Sequence, residues 1–446
     1  MYTPAPAQPL PLVPEIPFDP SVVTYTRFMT GYEPHEFTGW MHESQSWKKT
    51  CYLGDWSPLL KIRVTGPEAL AFFSSLAINS FAKFDIGQAK HAVFCNEEGK
   101  IMGEGVLMRE AEESFLFTSG PGVAWAIFQF GRRTWDARLA HVTTQQFIFQ
   151  VQGPNALFVV EKATGEPLRD IGFMRFRESG IGAMRFQVLR QGMAGEVGYE
   201  LHGSSADGQA VYRALLEAGE AFGIARLGGR TKMVNHVEAC FPTPTVDYAP
   251  AFEGAPEFFA WFSQRRGVGP VSFFQHHQGS VNTDDKRALH RSPVELGWAR
   301  SIKFDHDFIG RAALEAEVAN PRRTIVTLVW HPDDVVDVFA SLFRKEATPH
   351  TPMEMPRQLL GTIESDRVLV DGREVGMTTS RCYSVHFREM LSLCVIDLAH
   401  AAPGTPVVVL WGHAGDTQKR IRATVAPAPY KQDNRKVDVT TLPSYL

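Results

Sequence analysis

The chain has 446 residues, a formal net charge of −4 and 44% hydrophobic residues, so at roughly 100–200 residues per domain it is long enough for two to four domains, each with its own core. Lys and Arg (45) are slightly outnumbered by Asp and Glu (49), which gives nucleic-acid binding no broad basic surface. No run approaches the ~18 apolar residues of a membrane span, and the five cysteines are too few and too scattered for a disulfide framework or a CxxC site.

The first twenty residues, MYTPAPAQPLPLVPEIPFDP, lack the basic start and apolar stretch of an export signal. They read as an extended arm, and the protein is expected in the cytoplasm. Residues 26–60 alternate aromatic and polar positions without a helical period. From Lys61 the pattern sharpens. KIRVTG predicts a strand and turn, and PEALAFFSSLAI a helix with Pro67 in its first turn. HAVFCNEEGKIMGEGVLMRE predicts a hairpin, ESFLFTSG a strand, and PGVAWAIFQFGRRTW a helix opened by Pro121. These elements make one α+β unit over 61–145.

The same order then recurs. QFIFQVQGPNALFVVEKATG is strand, Gly-Pro turn, helix; MRFQVLRQGMAGEVGYELHG is two strands around a glycine-rich bend; GQAVYRALLEAGEAFGI is an amphipathic helix. A second α+β unit is expected from 1–60 together with 146–321. It carries an irregular aromatic insertion at 241–296, of the kind that commonly forms binding loops or lids. Beyond Arg322, TIVTLVW, RVLVDG, EVGMTTS, LSLCVIDL, TPVVVLWG and RIRATVA predict a β-barrel or sandwich over 322–429 with almost no helix. Residues 430–446 are polar and read as a surface tail.

Signatures for P-loops, dinucleotide-binding turns, zinc proteases and α/β hydrolases are missing. His276-His277 are adjacent, and adjacent side chains rarely aim at one ion, so no metal is expected. His331-Pro-Asp333-Asp334 reads as a solvated turn with a helix cap. Glu200, between apolar Tyr199 and Leu201, points away from both on a strand; it either faces water or grips a ligand.

In order and spacing, VTGPEAL (64–70), CNEEGKIMGEG (95–105), VQGPNA (151–156), GMAGEVGYEL (192–201), ELGWARSIKFDHDFIGRAAL (295–314) and DGREVGM (371–377) resemble the aminomethyltransferase family, the glycine-cleavage T-protein and its tetrahydrofolate-dependent relatives. The resemblance implies an α+β fold of three domains, two α+β units (one discontinuous) and a C-terminal β-barrel, around a central folate channel. It implies tetrahydrofolate as methyl acceptor, with Glu200 on the donor-rich edge of the pterin and Arg230, Met193, Gly103 and Gly105 near the cofactor. An interdomain ion pair is the alternative for Arg230.

Glycine-cleavage enzymes carry an Asp-Asp pair where this chain has Gly103-Glu104, a departure that resembles the aryl O-demethylase branch. That resemblance implies transfer of a methyl group from a methoxylated aromatic acid, giving the phenol and 5-methyltetrahydrofolate. It makes Tyr248, which follows Pro242-Thr-Pro244, the candidate acid for the phenolate, with a packed loop tyrosine as the alternative. His91, Trp56, Phe259 and Trp261 are the candidates for the substrate pocket; Phe258, Phe259, Trp261 and Phe262 share a helix expected in the insertion, which either covers an aromatic ring or packs in the core. The His and Arg with which vanillate-type enzymes hold their acid are absent from DWSPLLK and FTSGPGVAW, so vanillate itself is not implied. Demethylation of a sulfonium or methylamine, or folate binding without turnover, are the alternative readings.

Overall fold

The computed structural model describes residues 19–264, 276–281, 283, 285–356 and 362–445. Nearly all of the expected N-terminal arm, and Phe273-Phe274 of the aromatic insertion, lie outside the described residues. Three β assemblies organise the chain. A six-stranded sheet runs in the order Phe176–Ile181, Met184–Arg190, Gly198–Ser204, Gln146–Gln152, Cys51–Asp55, Ile224–Arg226, antiparallel except for its last pair. The helices Ala156–Thr164 and Gly208–Gly219 share a core with it, with Leu157, Val160 and Leu215 among Phe149, Tyr199 and Leu201.

A five-stranded antiparallel sheet has the order Gln88–Cys95, Ile101–Ala111, Ser114–Ser119, Leu60–Thr65, Arg138–His141. It packs with the helices Ala69–Leu76 and Pro121–Phe130. The recurrent strand–Gly-Pro–helix has one physical basis in both sheets. Gly66 and Gly153 take φ of +126° and +135°, and a Cβ there would lie 2.7 Å from Asp136 O and 2.5 Å from Thr50 O. Only glycine fits so close a backbone crossing in that conformation.

The C-terminal strands Arg323–Trp330, Asp366–Val370, Arg373–Ser384, Glu389–Asp397, Pro406–Trp411 and Lys419–Ala426 close into an antiparallel barrel. Alternation sends Ile421, Ala423 and Val425 inward and the polar side chains between them outward. The barrel region also contains a helix, Pro332–Ser341, that the strand-rich pattern did not predict. Pro332 starts it, Asp333 and Asp334 occupy its first turn, and Asp334 pairs with Arg422 at 2.9 Å.

The residues after 429 run along the surface, mostly exposed, but are docked there rather than loose. Val439 is buried, Arg190 donates to Val437 O at 2.5 Å, and Arg169 donates to Pro443 O at 2.7 Å. The Tyr445 ring lies edge-on to Phe158 at 4.8 Å. The signal was weak because backbone carbonyls, which carry no sequence identity, accept the anchoring guanidinium bonds. No helix among the described residues is long and apolar enough to cross a membrane.

Gly103 shows how tightly the five-stranded sheet meets its helix. A Cβ at this position would stand 2.3 Å from both N and Cα of Gly122, in the first turn of Pro121–Phe130. Backbone atoms cannot swing aside as a side-chain tip can. Gly103→Ala should therefore cost about 1–3 kcal/mol by overpacking and lower the thermal midpoint by a few degrees. An unchanged midpoint would show that strand and helix separate freely.

Candidate active site

The three assemblies converge on a cavity of about 730 Å³, within the usual range for small-molecule sites. Glu200 lies on its wall and is 6% exposed. Alternation along Gly198–Ser204 puts Tyr199 and Leu201 into the apolar core, and turns Glu200 and His202 together toward the cavity. Glu200 Oε1 accepts hydrogen bonds from Gln150 Nε2 at 2.9 Å and from Gln191 Nε2, while Oε2 lies 3.2 Å from His202 Nε2. The neighbouring strand orients Gln150: its Oε1 lies 2.5 Å from the Tyr52 hydroxyl, which leaves its amide hydrogens for the carboxylate.

A second glutamine shapes the glycine-rich bend. Gln152 Oε1 accepts from the backbone N–H groups of Met193 and Ala194, each at 3.0 Å, and Gln152 Nε2 donates to Glu196 O. The docked C-terminal segment closes the bend from outside. Lys431 pairs with Glu196 and donates to Ala194 O at 2.8 Å, while Asn434 donates to Glu196 Oε2 at 3.0 Å. Burial pushes the Lys431 ammonium down to about 8 despite the opposing pull of Glu196.

Of the residues expected at the site, Glu200, Met193, Gly105, His91 and Trp56 line this one cavity. Gly103, Arg230, Tyr248, Phe259 and Trp261 do not. Gly103 faces the backbone of Gly122. Arg230 is spent on an ion pair with Glu36 at 2.7 Å and on Met355 O at 3.1 Å, the alternative its sequence context left open. On the helix Pro256–Ser263, residues four apart share a face, so Phe258 and Phe262 are buried while Phe259 is 45% exposed. Of the four aromatics expected on this helix, Phe262 reaches the cavity wall, joined there by Phe252; Trp261 packs on Phe128 at 5.5 Å.

Tyr248 is fully buried in the apolar cluster that joins the assemblies. Its hydroxyl has no hydrogen-bond partner among the described residues, and burial drives its phenol well above the ordinary range. Asp247 beside it ties the loop to the barrel. It accepts from Thr379 Oγ1 and Thr243 N, each at 2.7 Å, and lies 3.5 Å from His236 Nε2. Burial opposes its ionisation, but the hydrogen bonds and charge of His236 and the bond from Ser380 outweigh it and hold the carboxyl low. Asp247 thus anchors the loop that carries Tyr248, which is buried behind the lining residues Thr243, Pro244 and Thr245.

Several lining residues escaped sequence reasoning. Arg27, Phe28 and Met29 come from the hairpin formed by Tyr25–Phe28 and Gly31–Pro34, whose alternating pattern was visible but had no partner to point to. Phe28 meets Trp56 edge-on at 5.7 Å, and Lys232, paired with Glu33, sits 4.0 Å from the Trp56 ring. His202 was available from the two-residue strand period, and Gln150 and Gln191 from the need of any buried carboxylate for donors.

The donor and acceptor set fits a pterin. Glu200 offers a buried carboxylate to parallel N–H donors, and the His202 Nδ1, Thr118 Oγ1 and Trp56 Nε1 atoms on the lining residues have no hydrogen-bond partner among the described residues. Among the described residues no group of three or more His, Cys, Asp or Glu side chains is placed to hold a metal ion. Glu200→Gln keeps the shape but removes the charge, so tetrahydrofolate affinity should fall roughly 10- to 100-fold, the worth of a hydrogen bond to a charged group. Fluorescence titration measures this, and an unchanged dissociation constant would remove Glu200 from the cofactor site.

Comparison with known proteins agrees with this geometry. The GCVT N-terminal domain family matches residues 21–257. The sesamin methylene transferase of a Sinomonas species is 37% identical over 430 residues, covering 93% of this chain and 94% of that one. The syringate O-demethylase of a Sphingobium species is 35% identical over 419 residues and covers 89% of each. The glycine cleavage system aminomethyltransferase T from Bartonella henselae superposes with a TM-score of 0.68 at 19% identity, over 93% of this chain and 96% of that one, which shows the shared fold. The chain belongs to the GCVT aminomethyltransferase family and is a tetrahydrofolate-dependent transferase of one-carbon groups.

Proposed function

We propose that the chain removes a methyl group from the ether oxygen of a methoxylated aromatic acid and passes it to tetrahydrofolate, giving the phenol and 5-methyltetrahydrofolate. The observation that carries this reading is the composition of a single cavity. One wall presents the buried Glu200 carboxylate, and others present Phe28, Trp56, Phe252 and Phe262, a bay suited to an aromatic ring.

Side chains of this protein would act mainly by positioning. Glu200, held by Gln150 and Gln191, orients the acceptor so that its nitrogen lies behind the carbon to be moved, a contribution that raises the effective concentration of the partners. Aromatic walls exclude water from the reacting atoms. The packed Gly103–Gly122 contact leaves no room for the carboxylate that aminomethyl transfer would want at 103, which disfavours glycine cleavage.

The similarity to a methylene transferase favours a second reading, in which the donor carbon is bridged between two oxygens and moves as methylene. Incubating the protein with tetrahydrofolate and a panel of methoxybenzoates and methylenedioxybenzenes separates the two. Appearance of 5-methyltetrahydrofolate with a methoxybenzoate is the expected result. Exclusive formation of 5,10-methylenetetrahydrofolate from the bridged ethers would support the second reading, and no folate product from any of them would contradict both.

A further inference from the structure

His91 and Glu104 form an ionisable pair on the cavity wall that has no part in orienting the acceptor. His91, on Gln88–Cys95, stands opposite Val106; Glu104, on Ile101–Ala111, stands opposite Val93, so the two are diagonal neighbours across antiparallel strands. Their side chains meet, with His91 Nε2 at 2.7 Å from Glu104 Oε2. Glu104 is largely covered, and Ser119 Oγ donates to its backbone O at 2.5 Å. The His91 ring stands edge-on to Trp298 at 4.9 Å, with Phe241 at 6.4 Å. His91, Glu104, Ser119, Phe241 and Trp298 all line the cavity.

This arrangement fixes the job of each ring nitrogen. A carboxylate acceptor at Nε2 keeps a proton there, so Nδ1 is the exchangeable site; it has no hydrogen-bond partner among the described residues. Cleaving an aryl ether leaves a phenolate, whose developing charge calls for a proton donor, and a well-placed general acid contributes roughly 10²–10⁴-fold. Tyr248, the donor expected from sequence, is buried and is not among the residues that line the cavity.

We propose that His91, oriented by Glu104, is the general acid that protonates the oxygen leaving the transferred carbon. This rests on the ether-cleavage reading above. In the step, the carbon–oxygen bond breaks with its electron pair left on oxygen, and His91 Nδ1 gives that oxygen a proton. The new carbon–nitrogen bond uses the lone pair of the acceptor nitrogen, which gives up its own proton. That proton restores the imidazolium, so charge and protons balance over the cycle. Glu104 is the positioning residue: its contact with Nε2 holds the ring with Nδ1 free to face the leaving oxygen.

The test is a leaving-group series. Wild-type protein, His91→Gln and Glu104→Gln are assayed with tetrahydrofolate and ring-substituted methoxybenzoates, from electron-rich rings to nitro-substituted ones. His91→Gln should slow kcat about 10²–10⁴-fold for ethers of weakly acidic phenols. The deficit should shrink below about 10-fold for the nitro-substituted ethers, whose phenolates leave without a proton. Glu104→Gln should show the same trend with a smaller loss, and both variants should bind tetrahydrofolate within about 2-fold of wild type, a readout of an intact fold. A deficit equal across the series, or a variant that loses tetrahydrofolate binding, would overturn the assignment. Wild-type protein inactive on every ether would overturn the ether-cleavage reading and this inference together.

Discussion

A carboxylate sealed from water must find its hydrogen-bond donors inside the protein, and the environment of Glu200 is organised around that requirement. Gln150 and Gln191 serve one oxygen from two directions, and His202 stands at the other. Each glutamine must itself be turned the right way. The Tyr52 hydroxyl takes the oxygen side of Gln150, and Gln152 fixes the bend that leads from Gln191 back into the Glu200 strand. The docked C-terminal segment then holds that bend through Lys431 and Asn434. A chain of contacts thus runs from one buried acceptor at the centre of a sheet to Lys431 and Asn434 of the docked segment.

The same economy of space explains how a shared scaffold can host different chemistry. In the five-stranded sheet, the approach of Gly103 to Gly122 eliminates a side chain at one position, while the next residue, Glu104, reaches the cavity and meets His91. Of the two acidic positions of the glycine-cleavage pattern, the first is thus lost, and the second keeps a carboxylate that meets an imidazole on the cavity wall.

Much of the fold was legible because it is written in local physics. The strand–Gly-Pro–helix units could be read twice, since the crossings at Gly66 and Gly153 admit no other residue, and the barrel strands announced themselves by two-residue alternation. The orientation of Glu200 followed from its flanking Tyr199 and Leu201. Less was legible where a side chain's role depends on a distant partner. Phe259 and Phe262 look alike in sequence, and only the packing of Phe258 on Trp125 decides which face of the helix turns inward. Arg230 could have met a ligand or Glu36, and Tyr248 could have faced a cavity or a core. The hairpin at Arg27–Met29 and the docked tail carry no motif, because they act through shape and backbone carbonyls.

The central claim is that the pterin of tetrahydrofolate sits on Glu200 in the shared cavity. A crystal structure of the protein with tetrahydrofolate bound tests it most directly. Pterin amino and ring N–H groups are expected within about 2.7–3.2 Å of the Glu200 carboxylate oxygens, with the rest of the cofactor inside the cavity. A pterin bound elsewhere, with Glu200 still satisfied only by Gln150, Gln191 and His202, would contradict it.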